Sequence, residues 1–356
     1  MSDDSVAYSS QAEASQGAPK AKHLRLPNGV YAPTLAFLSH SEDIDTVTLE
    51  HHVTRLIKAG VVGIVIHSSI GEAVHLTREE RSTMIRCAAD TISREYCDRF
   101  KNTRAPLIAA CGAQSTRGTL QLCRDAAESG APHAFIIVPS YYASVVNNEM
   151  IIQHFYDVAD RSPIPLVIDN FPAAVSGMQL TLDDILRIAR HPNVMGVNFK
   201  YDNMKILGAN GTIAGLANFA TYACVRVRGL SDRGEFLEAQ HLQAVNARGN
   251  SVVTGLGLVG TKAVVNFWND YGGAPRKPCY LPPLVEVIKV SEELSELFRA
   301  DRSPPGHHNK HVRDQDEAPT IKPMREAAVT ARKMGFRPEQ RDLSSGGVAA
   351  ARAVSD

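Results

Sequence analysis

Between Gly29 and Phe199, apolar runs of strand length alternate with stretches whose apolar residues recur at helical spacing. The runs 29–37, 63–67, 106–113, 134–139, 165–169 and 194–199 read as strands buried on both faces, because they are nearly continuous in apolar residues. The stretch 48–58 puts Leu49, Val53, Leu56 and Ile57 on one helical face and stops at Gly60. Further helix starts are marked by Thr77 with Glu80 three residues on, by Ser115 or Thr116, and by Thr181 with Asp184. A helix over 149–159 is also predicted, and the one opened by Thr181 ends before Pro192. Six strand and helix units in a row predict a parallel α/β sheet with right-handed crossovers, closed as a (β/α)8 TIM barrel. In such a barrel the chemistry lies at the C-terminal ends of the strands.

After the sixth strand the count fails. GTIAG (211–215) reads as another buried strand, but only residues 201–210 separate it from the sixth. A parallel crossover needs about a dozen residues or more, so the barrel is expected to be incomplete around its seventh strand. Helices over 216–228, 235–247, 261–269 and 284–298 follow as a C-terminal extension. The expected organisation is a disordered tail over 1–24, a barrel over 25–215, a helical region over 216–299 and a flexible tail over 300–356.

Charge narrows the partners. With 38 basic and 38 acidic residues the formal net charge is zero, so neither nucleic acid nor an anionic membrane is indicated. No apolar stretch reaches the length of a membrane span. Cys87, Cys97, Cys111, Cys123, Cys224 and Cys279 contain no CxxC pair, which fits free thiols in a reducing compartment. The N-terminus is polar, and its first arginine is Arg25, so the cytoplasm is expected. His307, His308 and His311 lie in the C-terminal tail without fixed geometry, and no metal or cofactor is expected. Gly255, Gly257 and Gly260 spell GxGxxG, but outside a first βαβ unit, where tight helix packing is the expected use.

The stretch 191–203, HPNVMGVNFKYDN, is a strand with a polar tip carrying Asn198, Lys200 and Asp202. Together with SSIGEAVHLTREER (68–81), CGAQST (111–116), VPSYY (138–142), DNFPA (169–173), GLVGTKAVVNF (257–267) and YGGAPRKP (271–278), it resembles the dihydrodipicolinate synthase and N-acetylneuraminate lyase family. The similarity runs over about 29–298, and the wording is closest to the family's fungal aldolases. The resemblance implies a class I lyase for a 2-oxo acid that releases or condenses pyruvate without a cofactor, in a homodimer or homotetramer. In such enzymes a neutral lysine amine in a partly desolvated pocket forms an iminium that acts as an electron sink.

Carried over residue by residue, the resemblance makes Ser68, Ser69, Ile70, Gly71 and Glu72 the substrate-carboxylate loop, with Ser69 keeping a hydroxyl for proton relay and Ile70 replacing one. Tyr142, beside Tyr141, matches a tyrosine that reaches across a dimer interface, although paired tyrosines also simply pack on loops. Ile213 is expected to line the substrate site. Two departures follow. Asp169 replaces the family's central proton-transfer tyrosine, and an ionised carboxylate accepts a proton but cannot donate one. Asn198 stands where the family has its lysine, and asparagine forms no Schiff base.

Lys200 lies on the same strand face, displaced outward by about 6–7 Å, and is either the replacement amine or a solvated lysine at the strand tip. The family's seventh strand and its flanking helices fall in the short link, so a stretch of residues is missing there, as a misplaced splice junction or a decayed gene would produce. A distal-carboxylate arginine of the dihydrodipicolinate synthases is absent from 173–176, which disfavours that reaction. The rival reading is a catalytically silent paralogue that binds a 2-oxo acid without covalent chemistry or associates with active subunits.

Overall fold

The computed structural model describes residues 26–97, 106–199 and 209–301. Its strands are β1 (Gly29–Pro33), β2 (Gly63–Ile66), β3 (Leu107–Ala110), β4 (His133–Ile137), β5 (Leu166–Asn170), β6 (Val194–Phe199) and β7 (Gly211–Ile213). All are parallel, in the order β6-β5-β4-β3-β2-β1-β7, and the sheet curls into a nearly closed barrel. Helices α1 (Thr46–Lys58), α2 (Arg78–Cys97), α3 (Thr116–Glu128), α4 (Asn148–Arg161) and α5 (Leu182–Ala189) follow the first five strands.

Local sequence signals place these helices. Asp45 opens α1 by accepting the Thr48 amide. At α2 the Thr77 amide donates to Glu80 at 2.7 Å while the Glu80 amide donates to the Thr77 hydroxyl at 3.3 Å, a capping box that satisfies two otherwise orphaned donors. Ser115 rather than Thr116 caps α3, and Thr181 with Asp184 forms the box at α5. The strands alternate as a barrel requires. Tyr31, Val65, Ile108, Phe135 and Val167 form a small interior cluster, while the intervening residues, such as Ile64, Ala109 and Ile168, pack outward against helices.

The expected deficit at the seventh position is present and has a specific form. β7 pairs with β1, Gly29 opposite Gly211 and Tyr31 opposite Ile213, so it takes the closing place in the barrel and does not pair with β6. The crossover limit therefore does not apply between β6 and β7, and among the described residues a seam is left between them. Gly211 fits the closure closely, since a Cβ there would lie 2.8 Å from the Gly29 carbonyl oxygen. The seam shows in burial: β1 to β5 are almost wholly buried, whereas every residue of β6 is half-buried.

Beyond β7 come α6 (Thr221–Asp232), α7 (Phe236–Thr254), α8 (Gly257–Asn269), α9 (Leu284–Glu293) and α10 (Ser295–Ala300). They share the barrel's outer core: Ala223, Val253, Val264 and Leu294 belong to the same apolar cluster as Leu49 and Ile64. The GxGxxG glycines make the corner between α7 and α8. Gly257 has φ +58, and a Cβ at Gly260 would lie 2.3 Å from the Leu256 side chain, so these glycines serve close packing. His52, fully buried, joins α1 to this region through Tyr271 (2.8 Å) and Asn218 (2.9 Å), and burial holds its imidazole well below the usual value, in the neutral form.

Asp301, just past α10, accepts the Ala223 amide at 2.7 Å near the start of α6. Burial pushes its carboxyl from an ordinary 3.8 up to about 7. A raised folded-state value means that the native state holds the proton more tightly than the unfolded chain, so this contribution is complete below about pH 4 and lost as pH rises through about 7. The buried neutral His52 shifts stability the opposite way over the same range, so the Asp301 contribution is read as a difference: in thermal melts the stability of wild type relative to Asp301→Asn, which keeps an acceptor oxygen and never charges, should fall from about pH 4 to about pH 8.

Candidate active site

The C-terminal ends of β2, β5 and β6 carry polar residues at the barrel mouth, where a parallel barrel presents its reactive groups. In the β5–β6 register Asp169 lies directly opposite Asn198, and both face the interior. Asn198 Nδ2 donates to Asp169 Oδ1 at 2.9 Å, and Asp169 is 8% exposed. The two residues that depart from the resembled pattern are thus one hydrogen-bonded pair. An asparagine amide forms no Schiff base, so Asn198 itself cannot serve as the nucleophile. Lys200 lies outside the described residues, immediately after the last residue of β6.

The turn after β2 is built from unusual backbone. His67 has φ +61 and Glu72 has φ +56, both in the left-handed region that side-chain-bearing residues rarely occupy. Between them Ser69–Gly71 forms one 3-10 turn. Gly71 is required there, because a Cβ would meet the Thr34 carbonyl oxygen at 2.8 Å. Ser69 is exposed at the turn, while Ile70 packs against the core and supplies no polar contact. The Ser68 hydroxyl and both His67 ring nitrogens are buried without a hydrogen-bond partner. Burial and the nearby Arg81 hold the His67 imidazole well below its usual value, so it is neutral.

Glu72 follows this turn and is completely buried. Lys262 Nζ, on α8, donates to its Oε1 at 2.5 Å, and the Arg276 backbone N–H donates to Oε2 at 2.8 Å. His75 Nδ1 is 3.1 Å from Oε2. Lys262, also fully buried, donates a second bond to the Ala274 carbonyl at 2.9 Å. Burial pulls its ammonium below the usual lysine value, against the opposing pull of the Glu72 carboxylate. The Arg276 guanidinium holds both Glu80 oxygens at 2.6 and 2.8 Å and also reaches the carbonyls of His75 and Glu42. Glu72 therefore shapes the loop and does not present its carboxylate to a ligand.

Tyr142 lies in the loop after β4 and is 62% exposed, with the Tyr141 ring edge-on at 5.0 Å. Gln114 anchors this loop by accepting the Ser140 and Tyr141 amides, each at 2.8 Å. Ile213 ends β7 and packs with the interior cluster beside Tyr31. Within one chain Tyr142 is on the surface. Lys262, Arg276, Gln114 and His67 were not singled out from sequence. The legible signal for Lys262 was a lone cation inside the apolar run GLVGTKAVV, a position that demands a buried partner.

Comparison with known proteins fits this geometry. The sequence profile of the dihydrodipicolinate synthetase family matches residues 26–207. A protein of Emericella nidulans described as a mitochondrial 4-hydroxy-2-oxoglutarate aldolase is 38% identical over 301 residues, covering 77% of this chain and 96% of that protein. An L-threo-3-deoxy-hexylosonate aldolase of Hypocrea jecorina is 34% identical, over 78% of this chain and 98% of its own. Among solved structures, a dihydrodipicolinate synthase family protein from Coccidioides immitis superposes with a TM-score of 0.68 at 25% identity, covering 78% of this chain and 98% of that one.

The buried pair has a measurable energetic signature. Glu72→Leu leaves the Lys262 ammonium buried without its counter-ion, and urea unfolding should show a loss of about 3–5 kcal/mol. Adding Lys262→Met should recover most of that loss, because an apolar pair of similar volume replaces two desolvated charges.

Proposed function

This chain belongs to the dihydrodipicolinate synthetase family, and on that premise we propose that it is a class I, Schiff-base aldolase or lyase that cleaves or forms a 2-oxo acid through pyruvate. The observation that carries the reading is the turn after β2: a glycine forced against the Thr34 carbonyl, with Ser69 open to solvent, at the mouth of a parallel barrel. Such a turn offers a hydroxyl and backbone N–H groups to a substrate carboxylate.

In this reading Lys200 supplies the amine. It attacks the keto carbon, water leaves, and the resulting iminium accepts the electron pair of the breaking carbon–carbon bond. The aldehyde departs, the enamine takes a proton, and hydrolysis releases pyruvate and regenerates the amine. Ser69 and Tyr142 relay protons, Asp169 accepts one while hydrogen-bonded to Asn198, and Ser68, Ile70, Gly71 and Ile213 shape the substrate space. The two relatives' names identify the first substrates to assay, 4-hydroxy-2-oxoglutarate and L-threo-3-deoxy-hexulosonate, both of which yield pyruvate and an aldehyde on retro-aldol cleavage.

A homodimer or homotetramer belongs to the same proposal, supported by the exposure of Tyr141 (78%) and Tyr142 (62%) on one loop. Among the described residues no helix is long and apolar enough to cross a membrane. The described cysteines Cys87, Cys111, Cys123, Cys224 and Cys279 are free, which supports the cytosol, a thiol-reducing compartment. The Emericella relative is named mitochondrial, and cell fractionation distinguishes the two.

One specific observation favours the rival reading, a non-covalent binder: Asn198 and Asp169, which the resemblance sets at the family's lysine and tyrosine, are bonded to each other. Borohydride reduction with pyruvate, followed by peptide mass spectrometry, separates the two. The expected result is a reduced pyruvate adduct on Lys200 that is absent from Lys200→Ala. An unmodified protein that still binds pyruvate assigns the chain to the non-covalent class.

A further inference from the structure

The turn Ser69–Gly71 ends at a residue in a conformation that costs free energy unless its surroundings hold it there. Glu72 has φ +56 and is not a glycine, so contacts outside the turn must fix it. Those contacts are on its carboxylate, and two of the three donors come from the far end of the chain. Lys262 is 190 residues away in sequence and the Arg276 amide 204. Neither oxygen of Glu72 is left without a bond.

A buried ion pair is a poor device for stability alone. Its desolvation largely offsets its attraction, and an apolar pair of the same volume serves as well or better. What the pair supplies is geometry: one carboxylate position and one backbone conformation. The Arg276 guanidinium extends the same network, joining Glu80 on α2 and the Glu42 and His75 carbonyls to segment 274–276. Loops from the first two barrel units are thereby tied to α8 across the barrel mouth.

We infer that Lys262 and Arg276 are positioning residues that, through Glu72, hold the Ser69–Gly71 turn in the shape that receives the substrate's carboxylate. The inference rests on the aldolase reading above and assigns Lys262 a role separate from that of the attacking amine. Lys262 is the only buried lysine among the described residues, and it cannot be the nucleophile in this state. Its ammonium has no exposed surface and is held by Glu72 and the Ala274 carbonyl.

The test is calorimetric titration of the full-length chain with pyruvate and with pyruvamide, its uncharged analogue, for wild type, Lys262→Met and Glu72→Gln. Wild type should prefer pyruvate. Both variants should lose affinity for pyruvate by about tenfold or more while binding pyruvamide nearly as wild type does, so that the preference collapses. A generally loosened fold would weaken both ligands alike and leave their ratio unchanged.

Glu72→Gln keeps the shape of the side chain and serves where Lys262→Met does not fold. Variants that melt earlier but keep the wild-type ratio overturn the positioning role. So does a borohydride-trapped pyruvate adduct on Lys262 itself. Wild type that binds no pyruvate overturns the aldolase reading and this inference with it, and that result is visible before any variant is made.

Discussion

The Glu72 carboxylate, fully buried against the Lys262 ammonium and the Arg276 amide, is the constraint around which the barrel mouth is arranged. A charge taken out of water is tolerated only with a counter-charge and hydrogen bonds in good geometry. Satisfying Glu72 therefore fixes three things together: the left-handed turn after β2, the seat of α8 and the path of segment 274–276. Arg276 adds Glu80, so the capping residue of α2 belongs to the same network. The helices after β7 consequently complete the site from outside the barrel, both through their shared core and through this cation.

The second constraint is the seam. A barrel normally removes sheet edges by closing, and here β7 closes onto β1 while, among the described residues, no strand pairs with the outer side of β6. Asn198, part of the polar tip where the chemistry is proposed, is on β6, the strand that borders this seam. The Asp169–Asn198 bond also lies there and secures the tip to β5. Among the described residues the seam thus adjoins the Asp169–Asn198 pair, the two positions at which the sequence departs from the pattern it resembles.

Much of this was legible because local signals agreed with the fold. The capping pairs Thr77/Glu80 and Thr181/Asp184 formed as their spacing implied, and VMGVNF is a strand over the same residues that its apolar pattern marked. The short link predicted a missing unit, but not which neighbour GTIAG would choose. Strand pairing is a long-range choice, and nothing within those five residues names β1 as partner. Lys262 and Arg276 lay inside motifs that carried the family resemblance, yet their role depends on a carboxylate 190 residues away, which no periodicity encodes. Tyr142 could be matched by motif, while its exposure in the folded chain is a tertiary outcome that the motif does not encode.

The central claim is that an amine at this mouth captures a ketone carbon while the turn before Glu72 holds the acid's carboxylate. Carbon-13 NMR of pyruvate labelled at its keto carbon, recorded with saturating protein, observes that carbon directly. The bound signal should move from the ketone to the iminium region and return to the ketone when the protein is removed. Bound pyruvate whose labelled carbon stays a ketone would contradict it.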